Sequence, residues 1–315
     1  MPQTTEFLYT DYSTFLSKHF EGKVQKLSID GGFGCPNRDG TIGRGGCSYC
    51  NNATFIPAYC SANDSIGSQL EKGKLFFQRK YPQMRFLAYF QAHTNTYAPL
   101  PVLQRRYEEA LSIDGIVGII IGTRPDCLSD DLLKYLEQLS RSTFVLLEFG
   151  IETSDDGLLR SLNRGHTFQT AADAIVRAAE HGLHTAGHII LGLPGQTHEM
   201  MMTEPAKLSA LPLEILKLHQ LQIVEHTTMA QQYREHPEQF QCLYETPQAY
   251  ARDVADYIQR LRSDIVLERF TSQSPAEWLI APRWGMKNFE FVELLKRTLR
   301  EQNAFQGKLY KGCPS

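Results

Sequence analysis

The sequence predicts an α/β fold, a parallel sheet laid down as six strand–helix units in succession, short of the eight that close a barrel. Three observations predict it. Short apolar runs alternate with segments whose apolar residues recur at helical spacing, and such alternation calls for parallel strands joined by right-handed crossovers. The run at residues 116–122 is apolar almost throughout, as befits a strand covered on both faces. The conspicuous polar words of the chain also fall just after strands, the end at which parallel α/β barrels keep their working residues.

The first strand is expected at residues 24–29 and runs straight into a cysteine- and glycine-rich stretch. Asp64 is positioned to cap a helix over 65–80, with Ile66, Leu70 and Phe77 among its apolar positions. The second strand is expected at 85–91, after which Pro101 opens a helix through Ala110. The third strand, 116–122, leads to a helix at 129–139 and the fourth strand at 143–151. A helix at 167–181 is ended by Gly182. The fifth strand at 185–191, a helix to about Lys207 and the sixth strand at 215–224 complete the series. Beyond Thr227, helices are expected near 246–262 and 287–303, with a short extra strand at 265–270 between them. No repeat, low-complexity stretch or linker interrupts the chain. It reads as one unit with an N-terminal extension at 1–23, a core at 24–226 and a C-terminal extension at 227–315 packed on that core.

The chain has 315 residues, 42% apolar and 21% charged, with a formal net charge of −3. This composition suits a soluble folded protein and exerts no global pull toward nucleic acid. The N-terminus, MPQTTEFLYTDYSTF, lacks the charged start, apolar core and cleavage site of a signal peptide. The longest plainly apolar run, 116–121, is far too short to span a bilayer. A cytoplasmic protein with no membrane partner is therefore expected. Seven cysteines in such a chain suggest metal or redox chemistry more than disulfides.

Residues 30–50, DGGFGCPNRDGTIGRGGCSYC, set Cys35, Cys47 and Cys50 in a Cys-x11-Cys-x2-Cys array. Three thiolates cannot close a tetrahedral structural zinc site without a fourth ligand. They can hold three corners of a [4Fe–4S] cluster, which leaves the fourth iron open to an outside ligand. The glycines of the stretch let the backbone wrap closely around a bulky inorganic guest. Cys60, Cys127, Cys242 and Cys313 show no comparable spacing and read as small buried or surface thiols; Cys60 is a lesser candidate for a fourth ligand.

With Tyr49 immediately before the last cysteine, the array resembles the radical S-adenosylmethionine (SAM) superfamily. Its commonest spacing is Cys-x3-Cys-x2-Cys; the stretched first gap resembles the subgroup around the catalytic subunit of Elongator. The words GCPNRDGTIGRGGCSYCN, GTRPDC, NRGH and LGLPGQT are similar to the YhcC/YtqA-like family in that neighbourhood. The resemblance implies a radical-SAM-type partial (β/α)6 barrel with N-terminal and C-terminal extensions. It implies an enzyme, a transferase or lyase, whose [4Fe–4S] cluster cleaves SAM reductively to a 5′-deoxyadenosyl radical. An electron donor such as a flavodoxin or ferredoxin is then expected, and the substrate it points to is a tRNA wobble-uridine side chain. Two alternatives stand beside this: a radical SAM enzyme acting on a small metabolite, and a non-catalytic, metal-stabilised nucleic-acid-binding protein.

The resemblance also assigns cofactor residues. Arg164, in NRGH, matches a position that pairs with the methionine carboxylate, a task suited to a planar guanidinium fork. Glu152 and His188 fall where relatives contact the SAM ribose; a helix-start glutamate and a core histidine are the structural alternatives. Ile190 and Gly192 match the motif that lies against adenine, although the glutamate that sometimes ends it is replaced by Gly195 and Gln196. Gln91 and Thr94 stand where relatives bind the methionine amino group, without the usual glycines, and Tyr49 offers its backbone to adenine. His93, Asn95, Arg124, Glu148, Lys217 and His219 are candidates to line a substrate cavity. Arg283, Trp284 and Lys287 either touch nucleic acid or cap the barrel. The resemblance leaves the catalytic residues unassigned.

Overall fold

The computed structural model describes residues 7–61, 63–78 and 83–312. Cys313 and the end of the helix expected to reach Lys80 lie outside the described residues.

The chain opens with α1 (Tyr12–His19), whose N-terminus is capped by the Asp11 carboxylate accepting from the Thr14 amide at 3.0 Å. Then come β1 (Val24–Ile29), the single turn α2 (Pro36–Asp39) inside the cysteine loop, and α3 (Ile66–Gln78). The Ser65 hydroxyl, not Asp64, caps α3 through the Ser68 amide at 3.1 Å, while Asp64 pairs with Lys72 at 2.7 Å. Regular units follow: β2 (Arg85–Phe90), α4 (Leu100–Leu111), β3 (Ile116–Thr123), α5 (Asp130–Ser140) and β4 (Phe144–Glu152). A short α6 (Asp156–Ser161) precedes α7 (Phe168–Glu180), β5 (His184–Leu191) and α8 (His198–Ser209).

The sixth expected strand is broken. β6 (Ile215–Gln220) stays in the main sheet, while β7 (Ile223–Val224) turns away to pair antiparallel with β9 (Leu279–Ala281). Between these come α9 (Thr228–Glu235), α10 (Pro247–Gln259) and β8 (Val266–Arg269), and α11 (Asn288–Glu301) follows β9. The break falls at Gln220-Leu221-Gln222, where the apolar and polar alternation of a strand carries on, so the pattern of residues holds no stop.

The six expected strands are present, and the short extra strand expected at 265–270 is β8, which joins the same sheet as a seventh. The sheet order is β1-β2-β3-β4-β5-β6-β8, and every pairing is parallel. The sheet curls until its two edge strands meet in an ion pair: Lys26 on β1 reaches Glu268 on β8 at 2.6 Å. The N-terminal segment helps to seal that seam, for the Leu267 amide donates to the Thr10 carbonyl at 2.8 Å.

Strand alternation sorts the residues by face. The outer face, with Phe90, Ile119, Leu147, Ile189 and Leu216, packs under the helices in one large core. The inner face changes along the strands. At its base Phe15 of α1 plugs the barrel against Leu87, Ile120, Leu146, Ala186, Ile215 and Val266. One layer higher stand Lys26, Tyr89, Glu148, His188, Lys217 and Glu268, and above these the interior opens at the carboxyl ends of the strands.

Gly118 lets β3 and β4 approach: a Cβ there would lie 2.5 Å from the Phe144 carbonyl oxygen and 3.0 Å from Leu87. Gly118→Ala is expected to destabilise the fold by about 1–3 kcal/mol through overpacking, read as a lower midpoint in chemical denaturation.

Candidate active site

The cysteine loop folds upon itself before any guest is considered. Pro36 starts one helical turn, Gly40 ends it at φ 95°, and the chain returns so that the Pro36 carbonyl accepts from Ile42 at 2.9 Å and from Gly43 at 3.2 Å. Asn37 and Asn163 stitch this loop to the segment after α6. The Asn37 amide donates to the Asn163 carbonyl at 2.6 Å, and the Asn163 amide donates to the Gly46 carbonyl at 2.8 Å. The Ser48 amide adds a bond to the Leu162 carbonyl at 2.9 Å. Neither asparagine was singled out by sequence reasoning; their position inside GCPNRDG and NRGH was the available signal.

Cys35, Cys47 and Cys50 all line one cavity at the carboxyl ends of the strands. None of the six described cysteines forms a disulfide. Cys47 is buried and accepts from two donors, Arg164 Nη1 at 3.5 Å and Asn37 Nδ2 at 3.6 Å. Burial, and then the neighbouring Cys47, push the Cys50 thiol up to about 11. Loading a metal centre here must therefore release protons. Three soft donors around one cavity, two hydrogen bonds to one of the sulfurs and a loop folded before loading fit a cluster larger than a single ion with an open corner; among the described residues no three such side chains are grouped to hold a lone metal ion.

The candidate cofactor residues Tyr49, Gln91, Thr94, Glu152, Arg164, His188 and Ile190 line the same cavity. The Tyr49 ring packs against the apolar cluster that contains Leu158, Leu162 and Leu221. Gln91 Oε1 accepts from the Ser28 hydroxyl at 2.9 Å, and the Thr94 amide ties back to the Gly34 carbonyl at 3.1 Å. Glu152 sits at a bulge between β4 and β5 with φ 69°, and that kink brings its carboxylate to 3.3 Å from Arg164 Nη2. A non-glycine residue held there carries strain that its surroundings must offset. Gly192 is not on the cavity wall. A Cβ there would lie 2.8 Å from the Cys242 carbonyl and 3.1 Å from the Tyr244 ring, so its small size serves packing of the chain after α9.

The substrate-side candidates divide. His93, Arg124, Glu148 and His219 line the cavity. Asn95 is buried and bonds the Phe90 and Gly122 carbonyls at 3.0 and 2.8 Å. Lys217 is buried in a short ion pair with Glu148 and does not line the cavity. Trp284 donates to the Tyr244 carbonyl at 3.0 Å and stacks on Phe291, so its ring is used in packing the C-terminal helices, whereas Arg283 and Lys287 are exposed. Cys60 bonds the Ser28 carbonyl at 3.6 Å and stands off the cavity.

Sequence reasoning missed the mouth. Gln220 exchanges bonds with the backbone of Ser272 at 2.9 and 3.1 Å, and Gln222 Oε1 accepts from the Ser274 amide at 3.1 Å. All four residues line the cavity, so the break between β6 and β7 places a polar rim drawn partly from the C-terminal segment. The alternating Gln220 and Gln222 were the signal.

The cavity floor is an ion-paired layer. Glu148 receives His188 Nε2 at 2.6 Å, Lys217 and the Tyr89 hydroxyl, with Lys26 at 3.7 Å. Burial opposes ionisation of Glu148, but Lys217, His188 and Lys26 outweigh it and hold the carboxyl well below the usual range. Lys217 also pairs with Glu268 at 3.2 Å. His219, whose Nε2 is buried without a partner, is pushed well below the usual imidazole range by burial and then by His188.

Against this geometry stand the comparisons. Residues 32–203 match the family described as Radical SAM superfamily, and residues 213–301 match the Radical_SAM C-terminal domain. The chain therefore belongs to the radical SAM superfamily, a class of enzymes that use a [4Fe–4S] cluster and SAM. Within it the chain falls in the YhcC/YtqA family. It is 33% identical over 307 residues to the uncharacterized protein YtqA of Bacillus subtilis, covering 98% of this chain and 94% of that one. It is 34% identical over 287 residues to protein YhcC of Escherichia coli, covering 91% and 90%. A shorter match, 28% identical over 122 residues, is to a tRNA uridine(34) acetyltransferase of Dehalococcoides mccartyi, covering 38% of this chain and 26% of that one. Among solved structures, archaeal Methanocaldococcus infernus Elp3 with an N-terminal deletion shares the fold. Its TM-score is 0.67 at 14% identity, and the alignment spans 91% of this chain and 65% of that one.

Two outcomes follow from the floor. Glu148→Ala would leave the buried Lys217 and the half-buried Lys26 without their central counter-charge, and is expected to cost about 3–5 kcal/mol in denaturant unfolding. In acid, His219 and Glu148, with folded values below their unfolded ones, both favour the folded state less as pH falls. Stability is expected to decline first below about 6.5, where the unfolded chain protonates His219, and again below about 4.5, where it protonates Glu148. His219→Gln should flatten the first decline when midpoints are measured across pH.

Proposed function

We propose that Cys35, Cys47 and Cys50 hold the cluster of a radical enzyme whose substrate is a tRNA wobble uridine. The observation that carries the cofactor assignment is the convergence of three thiols and the Glu152, Arg164, His188 and Ile190 side chains on one cavity. When bound, the cluster and SAM together supply a 5′-deoxyadenosyl radical by one-electron reductive cleavage of a sulfonium C–S bond. The protein's part is to position, to desolvate and to hold charge. Glu152 offers a carboxylate able to accept from the ribose hydroxyls, Ile190 an apolar face for adenine, and Gln91 and Thr94 acceptors for an amino group. Tyr49 offers its backbone, and Gly192 acts through packing.

The RNA reading rests on kinship with a protein named as a tRNA uridine(34) acetyltransferase and on the Elongator-like cysteine spacing. On this reading the cavity takes a base turned out of its stack, and exposed Arg38 on its lining is a cation available to a phosphate. On this reading a flavodoxin or ferredoxin supplies electrons, the enzyme works in the cytoplasm, and it is a transferase or lyase. The same reading divides the chain into an N-terminal extension at 1–23, a core at 24–226 and a C-terminal extension at 227–315 that completes the rim. No helix among the described residues is long and apolar enough to cross a membrane.

Anaerobic reconstitution should give roughly four irons and four sulfides per chain. Cys47→Ala should abolish the brown chromophore and reductive SAM cleavage; surviving cleavage would refute the cluster assignment. Nucleoside analysis of tRNA from cells with and without the protein should reveal one altered wobble uridine. Unchanged tRNA alongside an altered small metabolite would transfer the substrate to the metabolite class.

A further inference from the structure

Arg164 makes contacts that its motif does not announce. Its Nη1 donates to Cys47 Sγ at 3.5 Å, and its Nη2 donates to the Gly150 carbonyl at 2.7 Å and lies 3.3 Å from Glu152 Oε1. The terminal edge of the fork is thereby committed to the protein. The side chain is buried, and its Nε has no partner. The backbone is gripped as well. Arg124 Nη2 donates to the Arg164 carbonyl at 2.8 Å, and Asp126 holds Arg124 through bonds of 2.9 and 2.7 Å. Gly150 is what admits the guanidinium, because a Cβ at that position would stand 2.4 Å from Nη2.

The three cysteines are consequently unequal. Cys47 is the buried one and faces a fixed cation, whereas the Cys50 thiol is directed to the Asn52 side-chain oxygen at 3.5 Å. Reduction adds negative charge to a cluster and its sulfur ligands, and a guanidinium hydrogen-bonded to one of those sulfurs stabilises the more negative state. Burial leaves little water to screen it.

We propose that Arg164 is a positioning residue for the Cys47 corner of the cluster, raising its reduction potential through a charged N–H···S bond and thereby easing electron entry. Glu152 opposes it by partly neutralising the guanidinium. The inference rests on the assignment of the cluster to the three cysteines and adds a function that the carboxylate-pairing motif does not contain.

The test is a redox titration of the anaerobically reconstituted full chain, followed by electron paramagnetic resonance and run without SAM. Arg164→Gln should shift the midpoint to more negative potential, with Arg164→Lys lying between it and the wild type. Glu152→Gln should shift it the opposite way, by freeing the guanidinium of its counter-charge. If Arg164→Gln retains the wild-type midpoint and only weakens SAM binding, the arginine serves the methionine carboxylate alone and the inference is overturned. Should Arg164→Gln fail to hold iron, unmoved midpoints in both Arg164→Lys and Glu152→Gln overturn it equally. Wild-type protein that binds no cluster would instead defeat the cysteine assignment itself, and iron analysis identifies that case.

Discussion

The ion pair between Lys26 and Glu268 joins the two edges of the sheet, and Glu148 ties that seam to the middle of the curl. An open parallel sheet has no backbone partner along its edge strands. Here the inward faces of β1, β4, β6 and β8 meet through Lys26, Glu148, Lys217 and Glu268, two cations against two anions. Each charge would be costly alone in the interior, so all four are held where the others are. The arrangement fixes how tightly the sheet curls, and the curl brings the carboxyl ends of the strands around one cavity.

Chemistry is graded along the inner face. Phe15 and its apolar neighbours exclude water at the base, the ion-paired layer forms a charge-balanced floor, and polar groups, Gln222, Ser274 and the exposed Arg38 among them, line the cavity above it. The floor does more than seal. It holds His188 by Glu148 and leaves His219 neutral, so the cavity meets its guests with hydrogen-bonding groups in fixed places. Opposite the floor, the cysteine loop is built before loading, with asparagines and backbone bonds doing locally what a longer helix would do elsewhere. Preorganisation of this kind lowers the ordering cost of taking up a cluster.

Much of the fold was legible in the chain. The alternation of apolar runs with helical periods located six strands of the sheet, since fully covered strands must be apolar whatever their neighbours. The break after Gln220 was not legible, because Ile223 and Val224 are as apolar as the strand they leave and only their distant partner near Leu279 draws them away. The cap of α3 was misjudged for a similar reason: Asp64 and Ser65 are both able caps, and Lys72 takes the aspartate. In the site, Cys35, Cys47, Cys50, Glu152 and Arg164 stood out by their words, whereas Asn37, Gln222 and Ser274 acquire meaning through partners far along the chain.

By itself the sequence determined the fold class and the cysteine array, because hydrophobic period and residue spacing are local properties that any sufficiently long chain must satisfy to bury its strands. The tertiary structure alone decided which charges meet in the interior, that Gly192 accommodates Tyr244, and that Arg164 points at Cys47. Those facts depend on the curl and stagger of strands distant in sequence, and no window of the chain contains both partners.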